Sequence, residues 1–284
     1  MNIKKIRLAI GLERPLKFLH ISDTHFSYAD ERDNERKRKL AVERRRIFED
    51  ETNQCKKYLE ESLDYAKRHC DLLIHTGDII DFVSFLNLDL AQEALQDAGC
   101  FFVAGNHEFS KYVGEAFEDE AYKMDSMPLV QRAFKNNLRF DTLITGGLNL
   151  VGMDNVYYHF NEAHYDRLRG EVGRGLPILL MLHVPLYTPE LYHESMVIRG
   201  EGDAGIMGCP EELLKSYSED RYIQQRPNEL DMKLIQYIAE QPLIKAIFTG
   251  HKHYYHESPL TRGGITQYVA GAHFEGDAIE IEVV

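Results

Sequence analysis

Five short stretches carry side chains of the kind that hydrolytic metal chemistry uses. They are "SDTHF" with Asp23 and His25, "TGDIIDF" with Asp78 and Asp81, "AGNHEF" with Asn106, His107 and Glu108, "LHVP" with His183, and "TGHKHYYH" with His251, His253 and His256. Carboxylate oxygen, amide oxygen and imidazole nitrogen are ligands for borderline divalent ions, and no thiolate is among them. The set suits a pair of ions such as Mn, Fe, Zn, Co or Ni. One carboxylate can bridge two such ions ~3.5–4 Å apart, and the pair can polarise a phosphoryl oxygen and activate water. Each stretch alone has an ordinary reading as a turn carboxylate, a helix cap, a core histidine or a surface histidine. Their joint occurrence is what points to a metal site.

Groups so far apart in the chain need a scaffold to gather them. An apolar run precedes each cluster: "LKFLHIS", "DLLIHT", "CFFVA", "PILLMLH" and "LIKAIFT". Each reads as a buried strand that ends in a turn. Helical patterns at Cys55 to His69 and Leu230 to Glu240 alternate with them, which predicts an α/β fold. In such sheets, ligand groups sit on loops at the carboxyl ends of strands. If those loops stay extended, Asp23/His25 and His251/His253 each face one side, and His256 faces away as a structural or surface residue. Gly77, Gly105 and Gly250 fit tight turns beside the site. "LNLVGMD", "GITQYVAG" and "AIEIEVV" read as further strands. No repeat or flexible linker is visible. The expectation is a single domain over 1–284, with a charged insertion at 28–53 and a long irregular insertion at 184–228.

Composition narrows the class. The 284 residues are 44% hydrophobic and 28% charged, which is globular. The net charge is −13 and the pI about 5.5. That balance argues against coating nucleic acid and against docking on anionic membrane. Cys55, Cys70, Cys100 and Cys209 form no CxxC pair and read as idle thiols in a reducing compartment. Near the N-terminus, "LAIGL" follows basic residues as in a signal peptide, but Glu13 and Arg14 end it too soon. No stretch approaches the ~18 apolar residues of a membrane span. A soluble, cytoplasmic protein is expected, and the oligomeric state is not readable. The segment Arg36 to Arg46 holds seven basic residues against one acidic. It reads either as a solvated helix laced with ion pairs or as a basic lid over a phosphate site.

Taken in order, "DTH", "GDIID", "GNHE", "H" and "GHKH" resemble the five signature motifs of the calcineurin-like metallophosphoesterase superfamily. The resemblance spans Asp23 to His253. It implies two packed mixed β-sheets flanked by helices, a four-layer αββα sandwich with a dinuclear site on the connecting loops. It implies a first metal held by Asp23, His25, Asp78 and His253. A second would be held by Asp78, Asn106, His183 and His251, with Asp78 bridging. His107 would serve as general acid or charged donor near the leaving group, with Asp81 orienting it. The nucleophile implied is a metal-bound hydroxide. Glu108 completes the third motif with no evident chemical role. The arginines of the protein-phosphatase versions of the second and third motifs are missing. Repair exonucleases of the superfamily carry an added DNA-binding region for which this chain has little room. The expected substrate is therefore a small-molecule or nucleotide phosphoester, either monoester or diester. The alternatives are a protein phosphatase or nuclease of the same superfamily, or a non-catalytic protein-binding scaffold.

Overall fold

A computed structural model describes residues 1–50, 52–260 and 264–284. The strands in chain order are β1 (Asn2–Leu8), β2 (Leu16–Ile21), β3 (Leu72–His75), β4 (Cys100–Phe102), β5 (Phe140–Thr145), β6 (Leu148–Met153), β7 (Ile178–Met181), β8 (Ile244–Thr249), β9 (His256–Pro259), β10 (Thr266–Val269) and β11 (Asp277–Val283). The first five helices are α1 (Glu35–Phe48), α2 (Gln54–His69), α3 (Phe85–Gln96), α4 (Glu120–Val130) and α5 (Glu162–Val172). After them come α6 (Pro189–His193), α7 (Glu211–Leu214), α8 (Glu219–Gln225) and α9 (Glu229–Glu240).

The strands form a five-stranded sheet, β1-β11-β2-β3-β4, and a six-stranded sheet, β5-β6-β7-β8-β10-β9. Both are mixed. β2, β3 and β4 run parallel, as do β6, β7, β8 and β10. β11 is antiparallel to β2, and β5 to β6.

Residue alternation explains the layering. Along β2, Leu16 and Phe18 turn to one face while Leu19 and Ile21 turn to the other. The first pair packs with Leu150, Leu179, Met181 and Phe248 of the second sheet to form the middle of the molecule. The second pair packs under Leu59 of α2, Leu88 of α3 and Val130 of α4. On the far side, Val151, Leu180 and Ile247 pack under Leu168 of α5 and Leu234 of α9. Strands apolar on both faces are what a covered sheet requires. The result is helix, sheet, sheet, helix, the four-layer arrangement that the motifs implied.

Three features depart from the expectations. The basic N-terminal stretch is β1, an edge strand parallel to β11 in which Lys5 pairs with Glu280 and Arg7 with Glu282. Charged side chains on an edge strand discourage pairing with another chain. The segment 184–228, expected to be irregular, holds α6, α7, α8 and a π-helical turn at Glu194–Ile198. These bury Leu191, Ile206 and Leu214 in a small cluster of their own. Helices this short show too little of the 3.6-residue period to be read from sequence. The third departure lies in the site loops, which are not extended.

Candidate metal centre

β2, β3, β4, β7 and β8 deliver their following loops to one end of the sandwich, the carboxyl ends of parallel strands. Backbone hydrogen bonds then lace the loops together. Asp23 N–H donates to Gly77 O (2.9 Å), Thr24 and His25 N–H to Asp78 O (2.8 and 3.0 Å), and Gly250 N–H to His183 O (3.0 Å). The last bond ties adjacent strand ends of the second sheet, and the others tie β2 to β3.

The loops are not extended. Asp23, His25, Asp78, His251 and His253 all have φ between 55° and 72°. Among the described residues, only three other non-glycine positions have positive φ, and two of them, Tyr157 and Tyr158, line the same cavity. Such residues are uncommon and cost of order 1–3 kcal/mol each, so their concentration here marks a functional constraint. Asp23 and His25 do approach the same point, and so do His251 and His253. The cause is left-handed backbone at both members of each pair, not strand parity. His256 opens β9 and is half-buried, away from the cluster.

The glycines are needed for close approach. A Cβ on Gly105 would lie 2.2 Å from Asp78 Oδ1, and one on Gly250 would lie 1.8 Å from Ser22 Oγ and 2.6 Å from Asp23 Oδ2. The backbone itself therefore packs against the carboxylates.

Two groups of donors face each other across Asp78. In the first, His25 Nε2 lies 3.1 Å from His253 Nε2 and 3.9 Å from both Asp23 Oδ1 and Asp78 Oδ2. His253 Nε2 is 3.4 Å from Asp23 Oδ1. In the second, His183 Nε2 lies 3.2 Å from Asp78 Oδ2, 3.1 Å from Asn106 Oδ1 and 3.2 Å from His251 Nδ1. Donor atoms of Asp23, His25 and His253, and of Asp78, His183 and His251, each fall within 4.8 Å of one another. Separations of 3.1–3.4 Å match the edge of a coordination polyhedron with bonds of ~2.0–2.2 Å. Asp23, His25, Asp78 and His183 are buried. Buried carboxylates and crowded ring nitrogens of this kind fit a pair of cations. A third group, His25, Asp78 and His107, also lies within 4.8 Å, but Asp81 engages the Nδ1 atoms of both its histidines. It is the seam of the other two groups.

Asp81 is a hub. Its Oδ1 lies 3.2 Å from His25 Nδ1 and 3.2 Å from His107 Nδ1. His107 Nδ1–H also donates to the Asp81 carbonyl (2.7 Å), which leaves Nε2 free toward the cavity. Arg44 closes the hub as a fork, with Nε to Oδ2 at 2.6 Å and Nη2 to Oδ1 at 2.8 Å. Arg44 comes from α1, the basic segment. Phe48, one turn later, stacks flat on the His25 ring at 4.3 Å. The inner end of α1 is therefore a back wall of the site. Arg45 bonds Glu49 and Asn53, and none of Arg44, Arg45 and Arg46 lines the cavity. The lid reading fails because the charge nearest the site points at Asp81.

Charge follows from this packing. Burial disfavours protonated His107, but the Asp78 and Asp81 carboxylates outweigh it and raise the ring to about 10. Burial also opposes ionisation of Asp81, yet Arg44, His107 and His25 hold it well below the usual carboxylate range. Burial lowers His25 and His251, which favours the neutral ring.

Glu108 acquires a role that its sequence context did not reveal. It is buried, and its carboxylate accepts from the backbone N–H of Asp78 (2.8 Å), Ile79 (2.8 Å), Ile80 (3.2 Å) and Gly105 (2.5 Å). It splints the Asp78 turn to the Asn106 loop. Burial and the Asp78 charge push it up to about 7, against the pull of these donors.

The other residues missed lie on the cavity wall. It encloses about 430 Å³. Tyr158 Oη lies 3.3 Å from His251 Nε2. Lys252 pairs with Glu201 and donates to Ala204 O (2.7 Å), which pins the 201–205 loop beside the site. A signal for Tyr158 existed: "LNLVGMDNVYY" is a sixth apolar run ending in a polar cluster. Its Asn155 Oδ1 accepts from His183 and Val184 N–H, both at 3.1 Å.

The pattern of the calcineurin-like phosphoesterase family matches residues 16–255. The chain belongs to that family. It is a metal-dependent phosphoesterase, and the family uses a dinuclear divalent metal centre. A dimetal phosphatase from Danio rerio shares the fold at 12% identity with a TM-score of 0.50, covering 92% of this chain and 88% of that one. A calcineurin-like phosphoesterase from Bacillus subtilis is 12% identical with a TM-score of 0.47, covering 92% and 82%. A 5'-nucleotidase precursor from Thermus thermophilus is 11% identical with a TM-score of 0.42, covering 95% of this phosphoesterase and 54% of that chain. No curated protein is similar in sequence. Among the described residues, no helix is long and apolar enough to cross a membrane.

Proposed function

We propose that the phosphoesterase hydrolyses small-molecule or nucleotide phosphoesters at a two-metal centre. Asp23, His25, Asp78 and His253 would hold one ion, and Asp78, Asn106, His183 and His251 the other. The observation that carries this reading is the position of Asp78 Oδ2, 3.2 Å from His183 Nε2 and 3.9 Å from His25 Nε2. It faces both donor groups. When bound, the ions would supply Lewis-acid polarisation of a phosphoryl oxygen and an acidified water.

The chain's own residues supply the rest. Asp81 and Arg44 fix His107 with Nε2 free, and the Asp81 carboxylate beside Nδ1 favours its protonated form. His107 is thereby set to donate a proton to the departing ester oxygen. Asp81 at the same time holds His25 through Nδ1, which orients Nε2 toward Asp23 and Asp78. Such outer partners fix ring tautomer and direction. Tyr158 does the same for His251. A cavity of about 430 Å³ suits a small substrate. The cysteines are all free thiols, which supports the proposed cytoplasmic setting.

The test is the initial rate on aryl phosphate monoesters and diesters across Mn, Fe, Co, Ni and Zn. Hydrolysis of one class that depends on added metal is expected. A chain that retains no metal and cleaves neither class at saturating Mn would refute the proposal.

A further inference from the structure

A second cavity of about 590 Å³ adjoins the first. It lies between the Val113–Glu118 segment and α8. Asn106, His107, Glu118 and Arg221 line both chambers. We infer that this second chamber is the leaving-group subsite and that it selects an organic leaving group that is neutral or positively charged. The inference rests on the hydrolase reading above and adds what the departing half of the substrate must look like.

Position is the first argument. His107 stands at the junction of the two chambers. A phosphoryl group beside Asp78 and Asn106 occupies the first, so the oxygen that takes the His107 proton as its P–O bond breaks belongs to a group extending into the second. The chamber volume is within the ~300–1,000 Å³ of sites that take whole organic ligands.

Charge is the second. Arg221 is already committed, with Nη1 to Gln224 Oε1 at 2.6 Å and Nε to Asp203 Oδ2 at 3.5 Å. Glu115 faces Arg36 at 3.5 Å. Glu118 is left with Ser110 Oγ, at 3.1 Å, as the hydrogen-bond partner of its carboxylate among the described residues. Asp220 adds another carboxylate to the lining. With their partners counted, four carboxylates (Glu115, Glu118, Asp220 and Asp203) face three cations (Arg221, Arg36 and protonated His107), so a phosphorylated or carboxylated leaving group meets a wall of net negative charge. Like-charge opposition of this kind is how sites exclude wrong ligands.

Surface chemistry is the third. Phe117 lines the chamber and is 44% exposed. An aromatic face offers stacking area and attracts cations. Beside Glu118, it favours an amine-bearing or aromatic alcohol.

The test uses the Mn-saturated full chain and phenyl phosphates bearing aminomethyl, methyl or carboxyl groups in the para position, with kcat/KM corrected for the differing acidity of their phenols on a series of uncharged para-substituted phenyl phosphates. The expected order of kcat/KM is aminomethyl, methyl, carboxyl, with the ends ~10-fold apart and the difference carried by KM. Glu118→Gln should narrow that span at least threefold. Phe117→Ala, at an exposed position, should raise KM for all three. Equal kcat/KM across the series, or preference for the carboxyl substrate, overturns the subsite and leaves the hydrolase reading standing. Where only diesters are cleaved, the same three leaving groups are compared as methyl phosphodiesters; no turnover of either series, nor of unsubstituted phenyl phosphate, removes the hydrolase reading and the inference with it.

Discussion

Replacing Asp78 with asparagine removes the charge that faces both donor groups and keeps the side chain's shape. The variant should bind neither ion firmly and lose activity. His107→Ala is a different experiment, because its Nδ1 is occupied by Asp81 and its Nε2 is free. It should lower kcat by ~10²–10⁴ with metal content intact. Metal analysis beside steady-state kinetics separates the two, and metal loss in the histidine variant would make it a ligand. Arg44→Met should also act on kcat, because it releases Asp81, whereas neutralising Arg45 and Arg46 together should leave KM unchanged. A raised KM in the double variant would restore the lid. The positions that converge are those the motifs name, since each motif holds its chemistry within a few residues of a strand end. Arg44 was not legible in this role. Its contact with Asp81 spans 37 residues of chain, across α2 and β3, and nothing local in "RKRKLAVERRR" distinguishes it from its neighbours.

At the scale of elements, five apolar runs locate five strands because a strand covered on both faces has no other composition. Pairing order and loop conformation are less legible. Parity assigns Asp23 with His25 and His251 with His253, and left-handed backbone is what brings them together. Glu108 is the device that holds one of those loops. Glu108→Ala would leave buried N–H groups of Asp78, Ile79 and Gly105 without an acceptor, at ~1–3 kcal/mol each. Denaturant unfolding should show a loss of several kcal/mol, with Glu108→Gln intermediate. A change under ~0.5 kcal/mol, the scale of an ordinary surface substitution, would mean that water takes over the splint. The short helices of 184–228 were invisible to periodicity, yet they bring Lys252's partner Glu201 and the cavity residue Arg221 to the site.

At the scale of the molecule, the sandwich buries several histidines in neutral form. Burial lowers His20 to about 3 and His164 and His273 to about 4, below the ordinary 6.5. Their folded forms resist protons that the unfolded chain accepts. The stability they contribute is complete above about pH 6.5 and falls as pH drops toward 4, by up to about 1.4 kcal/mol per pH unit for each ring. Thermal unfolding should therefore show Tm declining across that window before most carboxylates titrate. A Tm flat from pH 6.5 to 4.5 would contradict the assignment.

One carboxylate shared between two metal ions fixes the metal stoichiometry of protein loaded with Mn and then freed of loose ions. Two ions per chain are predicted for the native phosphoesterase, and fewer than one for Asp78→Asn. Two ions retained in that variant, or none in the native chain, would contradict the account.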